Sequence, residues 1–416
     1  MHFEFKNNDE SSLAALIGEE ADKLGFPAYY VGGFVRDRLL GRASKDIDVV
    51  CVGDGIVLAK AVSSRLQLQR QVTIFKRFGT AMLNYRDLEI EFVGARKESY
   101  SKDSRKPSVS PGTLEDDQNR RDFTINALAV SVNAERFGEI LDPFNGIEDL
   151  KNGIIRTPLE PSKTFSDDPL RMLRAIRFGS QLGFEILDST FEGIKQNAHR
   201  IEIISAERIH TELNKILATK SPSIGFERLS TSGLLKYIMP EFEALRGVEF
   251  KNGVGHKDNF YHTLKVLDNL CAMSDNLWLR WSALLHDIAK PPTKKFVDGI
   301  GWTFHGHEVV GTRMAYKIFK RLKLPLDHKL KYVQKMIRLH LRPISLTRED
   351  ITDSAIRRLL FDAGDDIEDL MMLCKADITS KNEKKVQRIK ENYDIVRQKL
   401  IDVEEKDKIR NWQPPI

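Results

Sequence analysis

Cysteine is scarce: Cys51, Cys271 and Cys374 are the three in 416 residues, far apart and in no metal-binding spacing. That scarcity argues against a disulfide-stapled secreted scaffold and for unpaired thiols in a reducing compartment. No apolar run approaches the ~18 residues of a membrane-spanning helix. The N-terminal MHFEFKNNDESS is polar and acidic without an apolar signal core, so the chain reads as cytoplasmic. No fixed-period repeat or low-complexity tract stands out. A strong charge excess is also missing: a net charge of +5 and a pI near 8.8 permit a polyanionic partner without establishing one.

What is present is the composition of an ordinary globular protein, 41% hydrophobic and 30% charged, at a length that builds roughly two to four domains. The pattern changes character near residue 150. Ser11–Gly25 has helical periodicity and ends on glycine, leading into the apolar strand AYYVGG. FVRDRLLG then reads as a short helix, DIDVVCV as a strand and IVLAKAVSSRL as a helix. TIFKRFGTAMLNY and LEIEFVGAR read as two strands separated by turn residues 84–87, and the polar stretch 99–119 as a long mobile loop. After Gly146 the chain reads as almost wholly helical. The expected fold class is α+β: a small head of mixed β-sheet and helices, followed by a long all-α body.

The most informative residues are Asp46 and Asp48 in SKDIDVVCV, just downstream of the turn VGGFVRD. Side chains at i and i+2 of a strand share a face, so both carboxylates converge beneath the turn. Two close like charges are costly without a cation, a geometry suited to Mg²⁺ bound together with substrate phosphates. Gly32 and Gly33 let the backbone approach an anion closely. Glu91, on a separate expected strand, is a candidate third acid, with Glu89 its same-face neighbour; the sequence leaves open which of the two points inward.

Five segments in order, VGGFVRDRLLG with KDIDVV, RRDFTINALAV, DPFNG, SDDPLRMLRAIRFGSQLGF and SAERIHTELNKIL, resemble the class II tRNA nucleotidyltransferases (CCA-adding enzymes) and the related bacterial poly(A) polymerases. The resemblance covers about the first half of the chain. It implies that Asp46 and Asp48 hold Mg²⁺, activating an RNA 3′-hydroxyl for in-line attack on the α-phosphorus, and Glu91 joins them as a candidate catalytic residue. It implies a nucleotide site made of Gly32, Gly33, Arg36, Arg121, Asp122, Asn126, Asp168, Arg171 and Arg174, in which Arg121 and Asp122 match the sugar-contacting motif. Asp168 and Arg171 match the nucleotide-selecting helix, where a spacing of i to i+3 would set both on one face. Cytosine and adenine pair an exocyclic amine with an unprotonated ring nitrogen, which an aspartate and an arginine satisfy; uracil and guanine leave both unpaired. The family commonly has glutamate where Asp167 stands.

Downstream, His262, His286 with Asp287, His305 and His307 in FHGHE, His340 and Asp377 follow the order of an HD-type phosphohydrolase domain. Imidazole and carboxylate donors suit a divalent transition metal, and His262, His286, Asp287, His305, His340 and Asp377 are its candidate ligands. The resulting division is a catalytic head at 1–150, a helical nucleotide-selecting and RNA-binding neck at 151–245, an HD-type domain at 246–385 and a helical tail at 386–416. Basic stretches at 317–340 and near the C-terminus are candidate tracks for an RNA backbone.

The expected activity is addition of C and A from CTP and ATP to tRNA 3′ ends. Alternatives are A-only, CC-only or poly(A) addition, a metal-dependent phosphohydrolase and a non-catalytic RNA-binding protein. In the family a shortened flexible loop accompanies CC-only addition, and the length of 99–119 argues against that case.

Overall fold

The computed structural model describes residues 1–411 except 69–70, 77–78, 102–103, 346–351 and 380–382. The chain forms two compact units, Met1–Ile203 and Ile204–Ile416. Among the described residues, no helix is long and apolar enough to cross a membrane.

The first unit is built on a seven-stranded mixed sheet. Its elements run α1 (Asn8–Leu24), β1 (Ala28–Val31), α2 (Gly33–Leu39), β2 (Asp46–Cys51), α3 (Gly55–Arg65), β3 (Val72–Phe75), β4 (Thr80–Tyr85) and β5 (Leu88–Gly94). A two-stranded ribbon, β6 (Arg96–Ser101) and β7 (Ser104–Pro111), and α4 (Leu114–Asn119) lead to β8 (Ala129–Ser131) and β9 (Ile140–Leu141). The sheet order is β3-β4-β5-β2-β1-β8-β9, and β2 and β5 are its one parallel pair. Ile47 and Val49 on β2 and Ile90 and Phe92 on β5 are buried in the core, whereas Asp46, Asp48, Glu89 and Glu91 alternate with them on the other face.

Two expectations change here. The stretch 73–85 is not one strand: the chain reverses at Gly79, in the left-handed region at φ 64°, and β3 pairs back on β4. Nor is 99–119 an open loop, because the backbone of β6 pairs with β7 from Arg96 opposite Pro111 to Ser101 opposite Ser104, and Thr113 then opens α4 with a capping box. The stretch is polar and no apolar alternation advertises a strand pair in the sequence; residues 102–103 lie outside the described residues.

After α5 (Gly146–Asn152) a short parallel pair, β10 (Ile154–Ile155) with β11 (Glu185–Ile186), brackets α6 (Pro161–Asp167) and α7 (Leu170–Leu182). Pro169 ends α6, since the residue before proline is pushed out of the helical region. Asp168 accordingly sits at φ −135°, ψ 100°.

Among its described residues the second unit is helical apart from two small hairpins, 250–255 and 295–303. Fully buried Trp281 packs edge-on to Phe319 and donates to Asn214 Oδ1 at 2.8 Å. Buried Arg280 donates to the carbonyls of Leu217 and Thr219 at 2.8 and 3.0 Å, closing the C-terminal end of the helix Ala206–Leu217.

Removing the Phe92 ring from behind the acid-bearing face should cost about 3–5 kcal/mol. Denaturant unfolding of Phe92→Ala measures this, and a loss below about 1 kcal/mol would contradict the assigned core.

Candidate active site

β2 and β5 pair with Asp46 opposite Glu89 and Asp48 opposite Glu91, so all four carboxylates rise from one face. Val31 at the end of β1 lies opposite Asp48, which sets the next residue, Gly32, directly over it. Gly32 has φ 70° and ψ −134°, a conformation open to glycine alone. A Cβ there would stand 2.9 Å from Arg121 Nη1 and 3.2 Å from Asp48 Oδ2. At Gly33 the nearest atom to such a Cβ is Arg36 Nη2 at 3.7 Å, so on the protein side the steric demand for glycine falls on Gly32.

These residues line a cavity of about 490 Å³ together with Arg36, Arg121, Asp122, Asn126 and Arg174, in the size range of small-molecule sites. Asp122 organises its far wall. One carboxylate oxygen accepts from Phe123 N and Asn126 Nδ2, both at 2.9 Å, and the other from Arg174 Nε at 2.6 Å. Asn126 Oδ1 in turn accepts from Arg36 Nη1 at 2.7 Å, and Arg36 forks onto Asp37. The Phe178 ring is the common platform of Arg36, Arg174 and Arg177, whose guanidinium carbons lie 4.9, 5.3 and 3.9 Å from its centroid.

Charge is unevenly spread across the cavity. Burial, together with the charges of Asp46 and Asp117, lifts the Asp48 carboxyl above its ordinary range although Arg121 opposes this. Glu91 is lifted by removal from water and by Asp48. Four acids on one strand pair, two of them held above their usual pKa, form an all-oxygen donor set that a hard divalent cation would relieve. Asp122 behaves oppositely. It is buried, which raises it, but Arg174 and the hydrogen bonds of Asn126 and Arg174 prevail and bring it down to about 2.

Asp168 and Arg171 do not line this cavity, and no one helix carries both, because Asp168 is extended and Pro169 separates α6 from α7. The Asp168 carboxylate accepts from Leu170 N at 3.1 Å, and Arg171 donates to Arg120 O at 2.6 Å. What α7 turns to the cavity is Arg174, Arg177, Phe178 and Gln181.

Sequence reasoning missed Asp37, Phe178, Gln181 and above all Asp117. Fully buried Asp117 takes an ion pair from Arg120 and another from Arg121 at 2.9 Å, which holds Arg121 against Gly32 and Asp48. The available signal was its helical spacing of three and four residues ahead of the two arginines.

In the second unit Asp287 is the centre of a buried cluster with His262, His286, His307 and His340, and Asp377 lies 2.9 Å from His262 Nε2. His305 is corrected: it is exposed, and His307, the first residue of the helix His307–Arg321, takes the inward place. Gly306, with φ 77°, turns the chain between them. Burial disfavours a charged His286 ring, yet Asp287 and Asp377 outweigh it and bring His286 up to about 10, so the pocket draws positive charge. Mixed nitrogen and oxygen donors fit a divalent transition metal.

Of the basic stretch 317–340, Lys317, Lys320, Lys323 and Lys331 are exposed, whereas Arg321 pairs with Glu241 at 2.6 Å and Lys335 with Asp366 at 2.6 Å. The C-terminal stretch forms a long helix, Glu383–Asn411; its residues 380–382 lie outside the described residues.

Three family models match in order: the poly A polymerase head domain over residues 28–156, the probable RNA and SrmB-binding site of polymerase A over 183–245 and the HD domain over 259–382. A multifunctional CCA protein of Haemophilus influenzae is 36% identical over 315 residues, 71% of each chain. The chain belongs to the tRNA nucleotidyltransferase family of CCA-adding enzymes. A CCA-adding enzyme of Ligilactobacillus salivarius is 40% identical over 55% of each chain. An A-adding tRNA nucleotidyltransferase of Aquifex aeolicus is 46% identical over 41% of this chain and 20% of its own. The chain thus spans about half or less of the length of these last two relatives. A tRNA nucleotidyltransferase solved with a primer tRNA and an incoming ATP analogue is 25% identical, with a TM-score of 0.64 over 92% of this chain and 98% of that one. Divalent-metal dependence is common to the nucleotidyltransferase and HD families.

The depressed Asp122 predicts an acid limb of stability. A group lowered from 3.8 to about 2 on folding stabilises the fold by about 2 kcal/mol at neutral pH, and this is lost as pH falls from about 4 to about 2. Urea unfolding of Asp122→Asn should lack that portion of the acid-induced loss; an acid limb identical to that of the parent would contradict the network.

Proposed function

We propose that the protein adds C and A from CTP and ATP to the 3′ end of tRNA without a nucleic-acid template, releasing pyrophosphate. The observation that carries this reading is one cavity joining Asp46, Asp48 and Glu91 to the Gly32 turn and the Asp122–Asn126–Arg174 network, in a chain of this family. Asp46 and Asp48 would hold Mg²⁺, with Glu91 beside them, and bound Mg²⁺ supplies neutralisation of the phosphates and activation of the attacking hydroxyl. Gly32 and Gly33 let the backbone come close to the triphosphate, and Arg36, Arg121 and Arg174 surround it with positive charge. Asp122, kept ionised, and Asn126 offer hydrogen bonds to ribose hydroxyls.

Base choice falls to Asp168 and Arg171 in this proposal. Asp168 accepts from the Leu170 amide, and Arg171 donates to the Arg120 and Thr164 carbonyls. Exchanging those bonds for a base's amine and ring nitrogen would accept C and A and leave U and G unpaired. The exposed basic residues of 317–340 and the segment 183–245 are the proposed tRNA contacts. The three cysteines, none of them in a disulfide, suit a cytoplasmic enzyme.

The test is incubation with Mg²⁺, each labelled nucleotide and tRNAs ending before C, after CC and after CCA. Extension by CTP and then ATP, stopping at CCA, is expected; extension by ATP alone after CC would make it an A-adding enzyme, a continuing A tail a poly(A) polymerase, and no extension at all would remove the proposal. Asp48→Ala should lower transfer by about 10³-fold or more with folding preserved, and normal turnover would take Asp48 out of the catalytic set. Asp168→Ala or Arg171→Ala should lower the preference for CTP over UTP by about 10²-fold; unaltered discrimination would refute that role.

The buried cluster around Asp287 favours a second activity, hydrolysis of a phosphate ester in the second unit. Phosphate release that depends on His286 and Asp287 but not on Asp46 is its signature.

A further inference from the structure

We propose that the two hairpins of the helical unit, 250–255 and 295–303, form a stacking strip for unpaired bases of an RNA strand, with lysines beside the rings to receive its phosphates. The strip rests on the reading of RNA as this protein's substrate and adds a place where an unpaired stretch is held. Phe250 is its most exposed ring. A Cβ at Gly255 would stand 2.6 Å from Cε1 of Phe250, so the ring lies against the backbone of the opposite strand, an approach that needs glycine. The residue is nonetheless 74% exposed, and Ile300, in the turn of the second hairpin, is 75% exposed. Val254 and Val297 on the same two hairpins are exposed as well. Apolar side chains gathered on two otherwise polar hairpins mark a contact surface.

The hairpins are joined through their aromatic residues. Trp302 Nε1 donates to the Val254 carbonyl at 3.0 Å. Rings then follow one another edge to face, Phe296 to Trp302 at 5.2 Å, Trp302 to His256 at 5.4 Å and His256 to Phe304 at 6.0 Å. A lysine ammonium sits over three of them: Lys251 over Phe296 at 5.0 Å, Lys294 over Trp302 at 5.3 Å and Lys290 over Phe304 at 5.6 Å. Rings alternating with cations suit a single strand, whose bases stack on aromatic faces while its phosphates meet the charges. A duplex hides its base faces, so unpaired nucleotides are the ones that can use the rings. Charge decides against a second copy of the chain as the occupant. Residues 246–257 and 290–305 hold six lysines and arginines against two acids, Glu249 and Asp298, and Glu249 is already paired with Lys294. A twofold contact would set this patch against itself and oppose like charges, whereas a polyanion is complementary to it. Trp302 and Phe304 also wall a cavity of about 640 Å³ with Lys290 and Arg338, so the strip runs into a concave, basic recess.

The test uses the full chain and an unstructured RNA octanucleotide containing 4-thiouridine. Irradiation should crosslink the RNA to peptides within 246–257 and 290–305, located by mass spectrometry. By fluorescence anisotropy, Phe250→Ala should weaken binding of the octanucleotide by about 10-fold, the loss of one stacked base, and Phe250→Trp should restore it. Lys251→Ala/Lys294→Ala should flatten the dependence of log Kd on log salt concentration by about 1.4, the share of two phosphate contacts on a single strand. Absence of crosslinks from both hairpins would overturn the strip, and this parent measurement decides even where a variant fails to fold. Parent affinity in Phe250→Ala, or equal affinity for a duplex of the same length, would overturn it as well. A dimer in sedimentation that Phe250→Ala dissociates would give the face to a second copy and overturn the RNA site. Extension of tRNA without hairpin crosslinks would remove the strip and leave nucleotide addition standing; hairpin crosslinks without extension would keep the strip and remove nucleotide addition.

Discussion

The register of two parallel strands governs the head. With Asp48 opposite Glu91, the apolar residues between the acids enter the core and the acids themselves rise together beneath Gly32. A slip of one residue would bury Asp46 and Asp48 and expose Ile47 and Val49, so the hydrophobic effect that seats β2 also fixes the charge cluster. Core packing thereby sustains a repulsive arrangement of carboxylates that has no favourable reason to form alone. The Gly32 conformation and the Asp117–Arg121 ion pair complete the wall around Asp48.

The two units present two kinds of site. The head offers oxygen donors in an open, polar cavity with arginines around it, the setting for a hard cation that arrives with a phosphate. The helical unit offers buried imidazoles and carboxylates, the setting for a resident transition metal. Both depend on carboxylates held close to like or unfilled partners, and each is supported by apolar packing behind it: β2 and β5 in the first, the helices around Trp281 in the second.

Much of this was legible in the chain. The period of two in DIDVV and LEIEF placed the acids, and the turn glycines marked the point of close approach. The α+β division with a helical body was also readable from where hydrophobic period changes near residue 150. What the sequence hid has identifiable causes. Helical spacing suggested one helix carrying Asp168 and Arg171, but Pro169 breaks the helix and leaves Asp168 extended ahead of α7. His305 and His307 are two apart in FHGHE, and spacing cannot say which enters the core; the left-handed turn at Gly306 and the helix start at His307 decide it. The ribbon 96–111 is polar, so its pairing comes from backbone hydrogen bonds that leave no hydrophobic pattern. Asp117 was passed over because an acid in a charged run looks solvated until its two arginines are seen to enclose it.

The central claim is that the β2 acids hold a divalent cation with the incoming nucleotide. Mn²⁺ binding to the full chain, measured with and without a non-transferable CTP analogue, tests it most directly. The account predicts nucleotide-dependent Mn²⁺ binding that disappears in Asp46→Asn/Asp48→Asn while nucleotide-independent binding in the helical unit persists. Undiminished nucleotide-dependent binding in that variant would contradict it.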